Sequence, residues 1–240
     1  MKMTDLTRQA RKYLPLGYCG AVIVAAGSAS RMGGIDKVMA PLKGEPMIVH
    51  TVRAFEMSDA IREIVIVTRQ DLIEAIGALC ADFSKVRTVV AGGSSRQESV
   101  ENGLRALSAQ VKMVAVHDGA RPLITAEVID RTVWAAHLYG AAAPAIPVKD
   151  TVKVVAGGLI AETPDRAALR AVQTPQVFDL DLLKGALQKA REEQAALTDD
   201  CSAVERLGMR VKIVEGDERN IKITTPLDLR IAALFMEENP

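Results

Sequence analysis

The sequence predicts an α/β fold: a three-layer αβα sandwich on a mostly parallel sheet, with a protruding β-arm. Two observations carry this. Apolar, β-branched runs recur along the chain with helical patterns between them, the βαβ alternation of a Rossmann-like sheet covered on both faces. The alternation then breaks once, from 147 to about 178, where Val152, Val154 and Val155 lead into Gly157-Gly158 and Leu159-Ile160. That is the pattern of a hairpin with a two-glycine turn. A hairpin outside the main sheet exposes apolar residues unless something covers them, and a second subunit is the simplest cover.

In order, strands are expected at 20–25, 63–68, 86–90, 113–116, 141–146 and 211–214, and they read as apolar runs. Helices are expected at 46–57, 71–80, 96–109, 125–139, 179–193, 199–207 and 226–238. Thr125 and Asp179 have N-cap side chains, and Pro226 suits a first turn. Met32, Met39, Met47 and Trp134 read as packing residues. A short basic helix at 4–14 is assigned no role. No repeat or linker divides the 240 residues, so one domain is expected over 1–240, with 1–18 as an N-terminal extension.

Charge narrows the partners. Lys plus Arg and Asp plus Glu number 30 each, so no net field favours nucleic acid or an anionic membrane. Any anion site must come from local clustering of cations. Aromatics are few and not interleaved with basic residues, which argues against stacking on single strands. Cys19, Cys80 and Cys201 form no Cys-x-x-Cys pair, and His50, His117 and His137 lack metal-ligand spacing. No apolar run reaches membrane-spanning length and the start lacks a secretory pattern. The expectation is a cytoplasmic protein with reduced thiols.

The most informative stretch is Val22-Ile-Val-Ala-Ala-Gly-Ser-Ala-Ser-Arg-Met-Gly-Gly-Ile-Asp-Lys37. A buried strand runs into a loop of small residues, where backbone N–H groups can approach a ligand and Arg31 and Lys37 can meet negative charge. The pattern lacks the Gly-Lys-Ser/Thr ending of ATPases and the Gly-x-Gly-x-x-Gly of dinucleotide binders. The bland alternative is a strand-to-helix turn with a solvated Arg31.

Ligands of open α/β sheets sit beyond the carboxyl ends of the strands. There the chain offers Ala25, Ala26, Gly27, Arg31 and Lys37 after the first strand, and Gly92-Gly93-Ser94-Ser95-Arg96-Gln97-Glu98-Ser99 after the third. His117-Asp118-Gly119-Ala120-Arg121-Pro122 comes after the fourth, and a segment containing Asn220-Ile221-Lys222-Ile223-Thr224 after the last. Asp118 is placed to reach a divalent cation escorting phosphates; the alternatives are a cap or an ion pair with Arg121. His117 reads as an orienting or core residue. Lys222, between two isoleucines, would be buried if it lay on a strand and needs a phosphate or carboxylate partner. Arg166 has no partner in its own stretch of sequence; the alternative is a solvated surface residue.

Taken together, Ala25-Ala-Gly-x-x-x-Arg-Met, Gly92-Gly-x-x-Arg-x-x-Ser-Val, Val116-His-Asp-Gly-Ala-Arg-Pro, Pro147-Val-Lys-Asp-Thr, Gln173-Thr-Pro-Gln and Asn220-Ile-Lys-Ile-Thr resemble the 2-C-methyl-D-erythritol 4-phosphate cytidylyltransferase family. The resemblance implies transfer of the cytidylyl group of CTP to 2-C-methyl-D-erythritol 4-phosphate, with release of pyrophosphate, in the non-mevalonate isoprenoid pathway. It implies catalytic Arg31, Lys37, Arg166 and Lys222, and nucleotide contacts from Ala25, Ala26, Gly27, Gly93, Ser99 and Asp118. Acceptor contacts are implied for Arg121, Thr151, Arg166, Thr174 and Lys222, with Mg²⁺ or another divalent cation on Asp118. It further implies a homodimer in which Thr151 and Arg166 of the β-arm serve the partner's site. Where family members commonly have Pro-Lys-Gln, this chain has Asp36-Lys37-Val38. Ser94 and Ser95 replace acidic or threonine residues. Two rivals stay open on the residues alone: a ribitol-5-phosphate cytidylyltransferase, and a non-catalytic nucleotide-binding protein on the same fold.

Overall fold

The computed structural model describes residues 18–27 and 36–237; the expected basic helix at 4–14, and Arg31 and Met32, lie outside the described residues. Strand β1 (Cys19–Val24) runs in parallel between the strands on either side of it. Ala21 and Ile23 enter one apolar core and Val22 enters the other, because successive strand side chains point to opposite faces. This two-sided burial explains the unbroken apolar run.

A short pair, β2 (Pro41–Leu42) with β3 (Glu45–Pro46), leads into α1 (Met47–Met57). Then β4 (Ile61–Thr68), α2 (Ile73–Leu79), β5 (Val86–Ala91), α3 (Arg96–Ala106), β6 (Met113–Asp118), α4 (Ala126–Tyr139) and β7 (Ala141–Pro147) come in the expected alternation. β4 and β6 flank β1, and β5 lies beyond β4, all in parallel. The helix expected to reach 109 stops at Ala106. Leu107 is extended and the Ser108 N–H donates to Glu63 Oε1 at 2.7 Å, which draws the backbone off the helical path.

The excursion is shorter than expected. Between 147 and 178 only the hairpin β8 (Val154–Ala156) and β9 (Leu159–Glu162) stands outside the main sheet; Gly157 and Gly158 at its turn have φ of +57° and +81°, the backbone of a two-residue turn that glycine adopts freely. Strands β10 (Arg170–Val172) and β11 (Gln176–Asp179) rejoin the main sheet, antiparallel to β7. β11 also pairs antiparallel with β6, so the sheet is mixed. These strands are short and carry Arg170, Gln176 and Asp179, so they give no apolar run.

Helix α5 (Leu180–Glu192) is N-capped by Asp179, and α6 (Asp200–Arg206) by Asp199. β12 (Lys212–Glu215) lies parallel on β7, and α7 (Pro226–Glu237) closes the described chain. Phe55, Ile129 and Val133 of α1 and α4 fill the core on one face, and Val100, Leu183 and Val204 of α3, α5 and α6 fill the other. The three layers result from that division. Trp134 and Met47 are buried, as packing residues should be.

Candidate active site

Beyond the carboxyl ends of β1, β5 and β6 the loops enclose a cleft of about 320 Å³. Ala25, Ala26 and Gly27 form one wall and Gly93, Ser94 and Ser95 another; Lys37, Arg96, Asp118 and Lys222 project into it. The walls meet closely: a Cβ on Gly92 would lie 2.4 Å from that of Ala26, so only glycine fits. Gly27 lies beside the charge, and a Cβ there would stand in ordinary contact, 3.7 Å from Lys37 Nζ.

Asp118 is the centre of the charges. Lys222 Nζ lies 2.9 Å from Oδ2, Arg121 Nε 3.6 Å from Oδ2, and Arg96 Nε 3.7 Å from Oδ1. Burial alone would raise its pKa, but Lys222, Arg96 and Arg121 hold it down to about 2. Arg96 in turn donates to the fully buried Asp200 at 2.8 Å. Burial works against the Arg96 charge, and Asp200 and Asp118 hold its pKa above the ordinary value; burial pushes Asp200 up. Arg121 is lowered by burial, which Asp118 opposes.

A chain of hydrogen bonds fixes this cluster from below. The Thr174 hydroxyl accepts the Asp118 N–H at 3.1 Å and meets His117 Nδ1 at 3.0 Å, while His117 Nε2 faces the Arg121 carbonyl at 3.2 Å. His117 is buried beside Phe55, and burial pushes its pKa down to about 4, so it is a neutral orienting residue. Asn220 donates to the Thr174 carbonyl at 3.0 Å, and Arg121 donates to the Asn220 carbonyl at 2.7 Å. Gln176 receives the Cys201 N–H at 2.9 Å and donates to Asp199 at 2.7 Å. One segment, Gln173 to Gln176, thus holds the Lys222 loop on one side and the Asp200 helix on the other.

Of the residues the sequence singled out, Ala25, Ala26, Gly27, Lys37, Gly93, Ser99, Asp118 and Lys222 converge on the cleft, with Arg121 against Asp118. Arg31 lies outside the described residues. Thr174 is buried beneath Asp118 rather than open to the cleft. Thr151 and Arg166 are exposed on the arm and line no part of the cleft. Two readings are corrected, and Asp36 gains a place. Lys222 lies in no strand and remains partly exposed, with Asp118 as its carboxylate partner. Arg166 does have a neighbour, donating to the Lys149 carbonyl at 2.6 Å. Asp36, the acid next to Lys37 in the chain, caps the next turn and pairs with Arg69.

Sequence reasoning placed Arg96 in a strand-end segment without giving it a role, and missed Asp200. The signal was a cation opening one helix and adjacent carboxylates opening another; nothing in the sequence paired them across 104 residues.

The chain matches the profile of the 2-C-methyl-D-erythritol 4-phosphate cytidylyltransferase family over residues 19–238. Relatives bearing that name include one from Caldanaerobacter subterraneus subsp. tengcongensis, 45% identical over 223 residues (91% of this chain, 98% of the relative). Another, from Symbiobacterium thermophilum, is 46% identical over 219 residues, covering 90% of this chain and 92% of its own. Among solved structures, 4-diphosphocytidyl-2C-methyl-D-erythritol synthase from Anaerococcus prevotii superimposes with a TM-score of 0.84 at 30% identity, covering 92% and 98% of the two chains. The Thermus thermophilus cytidylyltransferase gives 0.76 at 32% identity, covering 92% and 99%. With this fold, this cleft and these relatives, the chain belongs to the 2-C-methyl-D-erythritol 4-phosphate cytidylyltransferase family.

Proposed function

We propose that the cleft is where this chain carries out its family's reaction, transfer of the cytidylyl group of CTP to 2-C-methyl-D-erythritol 4-phosphate with release of pyrophosphate, in isoprenoid biosynthesis. The observation that carries the proposal is the grouping of Lys37, Arg96, Lys222 and Asp118 in one cleft walled by small residues. In the reaction a phosphate monoester oxygen attacks the α-phosphorus of a triphosphate, so one anion must approach another. Catalysis is then positioning plus charge stabilisation, with attack in line with the departing pyrophosphate.

Lys37, with Arg31, stabilises charge on the α-phosphate and leaving group. Lys222 and Arg121 hold the acceptor phosphate for attack. That phosphate is already ionised at neutral pH, so no general base is required. The backbone of Ala25, Ala26, Gly27 and Gly93 and the hydroxyl of Ser99 face the base and ribose; Ser99 Oγ already accepts the Gly93 N–H at 3.1 Å. Thr174 acts from below, orienting Asp118.

Asp118 fits a divalent cation such as Mg²⁺. Lys222, Arg96 and Arg121 keep its carboxyl ionised, and Mg²⁺, which commonly takes one or two carboxylates with phosphates supplying the rest, would take the oxygen that Lys222 meets at 2.9 Å. Among the described residues no group of three or more His, Cys, Asp or Glu forms a protein cage. Bound there, the ion would neutralise triphosphate charge.

The arm supports a homodimer. Leu159 and Ile160 are 76% and 65% exposed, and β8 and β9 pair only with each other among the described residues. An isolated two-stranded hairpin is marginal in water, so a second copy is the natural cover, bringing Thr151 and Arg166 to its site. A cytoplasmic setting accords with three buried free cysteines; no helix among the described residues is long and apolar enough to cross a membrane.

The test is pyrophosphate release across CTP, UTP and ATP, with methylerythritol phosphate and ribitol 5-phosphate as acceptors. Turnover of CTP with methylerythritol phosphate is expected. Turnover with ribitol phosphate alone, or CTP binding without pyrophosphate release, would reject the assignment.

A further inference from the structure

We propose that Asp36 and Arg69 form a clip that positions Lys37, so that β4, which lends no side chain to the cleft wall, acts on the reaction through the lysine. The proposal rests on the reading of Lys37 as the cation that stabilises transferring charge. The carboxyl ends of β1, β5 and β6 supply cleft residues directly. The end of β4 instead continues into Arg69-Gln70-Asp71, and none of these lines the cleft.

The geometry is specific. Asp36 opens the short turn Lys37–Met39, its Oδ1 accepting the Val38 N–H at 3.0 Å. Its other oxygen receives Arg69 Nη1. The Arg69 guanidinium is itself held in a fork by Asp71, with Nε to Oδ1 at 3.0 Å and Nη2 to Oδ2 at 2.7 Å. Such bidentate pairing fixes the plane of the guanidinium as well as its place. Arg69 is anchored to the carboxyl end of an interior strand, because the Val67 and Thr68 carbonyls accept the N–H groups of Ala25 and Gly92 at 2.7 Å each. The Asp36 side chain is only 10% exposed and that of Arg69 33%, so neither is a loosely solvated surface charge.

The purpose is mechanical. A lysine is a point charge on a flexible four-carbon stem, and its position depends on how well its backbone is held. Asp36 serves as both cap and anchor: one oxygen closes the turn that carries Lys37, and the other ties that turn to β4. Both carboxylate oxygens thus have donors of their own, and an acid next to the catalytic cation becomes a support for it.

The experiment is a double-mutant cycle with kcat and KM measured for CTP. Asp36→Asn keeps an acceptor for Val38 and removes the charge on which Arg69 closes. It is expected to lower kcat about 10- to 100-fold, the scale of an ångström's misplacement, with KM for CTP and the melting temperature unchanged. Arg69→Gln should do the same, and Arg69→Lys should recover part of the loss. In a Lys37→Ala background Asp36→Asn should have no further effect, because its action passes through the missing ammonium. An equal loss of kcat in that background overturns the proposal, as does wild-type kcat in both Asp36→Asn and Arg69→Gln. Wild-type turnover by Lys37→Ala alone overturns the reading of Lys37 itself, and the single variant tells that failure apart. Should Asp36→Asn not fold, Arg69→Gln carries the same cycle.

Discussion

The cleft and the β-arm solve opposite problems. In the cleft, charges are brought out of water and each is answered: Asp118 by Lys222, Arg121 and Arg96, and Arg96 by Asp200. On the arm, apolar side chains are pushed into water and stay uncovered, with Val155, Leu159 and Ile160 more than half exposed. Polar burial is tolerated only with partners. Apolar exposure of neighbouring side chains is what the proposed dimer would relieve. The charged cleft is therefore assembled within one chain, whereas the apolar face of the arm has no cover among the described residues.

That contrast can be broken most sharply at Lys37. Lys37→Ala should reduce turnover by about 10²–10³, as for other preorganised charges, and reduce CTP affinity far less. Rapid-quench pyrophosphate release and equilibrium CTP titration measure the two separately; a wild-type rate would show that the cleft's charges are structural.

The arm comes next. Leu159→Asp with Ile160→Asp should convert a dimer to a monomer in sedimentation and remove most activity, since each apolar side chain buried in an interface contributes about 1.5–3 kcal/mol. Mixing Arg166→Ala with Lys37→Ala subunits should restore part of the activity. A proven mixed dimer without rescue would confine the site to one chain.

A smaller effect is expected at the centre of the cleft. Asp118→Asn leaves three cations facing a neutral group, and should lower the unfolding free energy by about 2 kcal/mol in urea titrations. An unchanged midpoint would mean that the cations are held by their other partners.

Mild acid gives the smallest expected change near neutrality. The folded His117 pKa of about 4 lies below the ordinary 6.5. Between those values the unfolded chain binds a proton that the folded chain does not, so stability falls as the pH drops through that window. Asp118, at about 2 against 3.8, adds a second loss between those lower values. Histidine NMR titration and urea midpoints at several pH values check this; a His117 titrating near 6.5 would refute it.

Much of this is legible in the residues. The apolar runs mark β1, β4, β5, β6 and β7, and the residues at or beyond their carboxyl ends include Gly27, Lys37, Gly93 and Asp118. Two kinds of feature are not legible. β10 and β11 fall in the stretch that reads as arm, because Gln173 to Gln176 serve hydrogen bonding to the Lys222 loop and α6 rather than apolar packing. Arg69 looks like an ordinary surface cation, and Arg96, though just past a strand end, shows no partner, since Asp36 and Asp200 are 33 and 104 residues away.

By itself the sequence determined the local terms: which segments bury both faces, where helices begin at Thr125 and Asp179, and where two glycines permit a reversal. Only the tertiary structure decided how charges pair, that Asp118 would gather three cations and that Asp36 would be anchored to β4. Periodicity and capping act within a few residues and leave a pattern in the chain, whereas an ion pair joins two points that meet only once the sheet has brought them together.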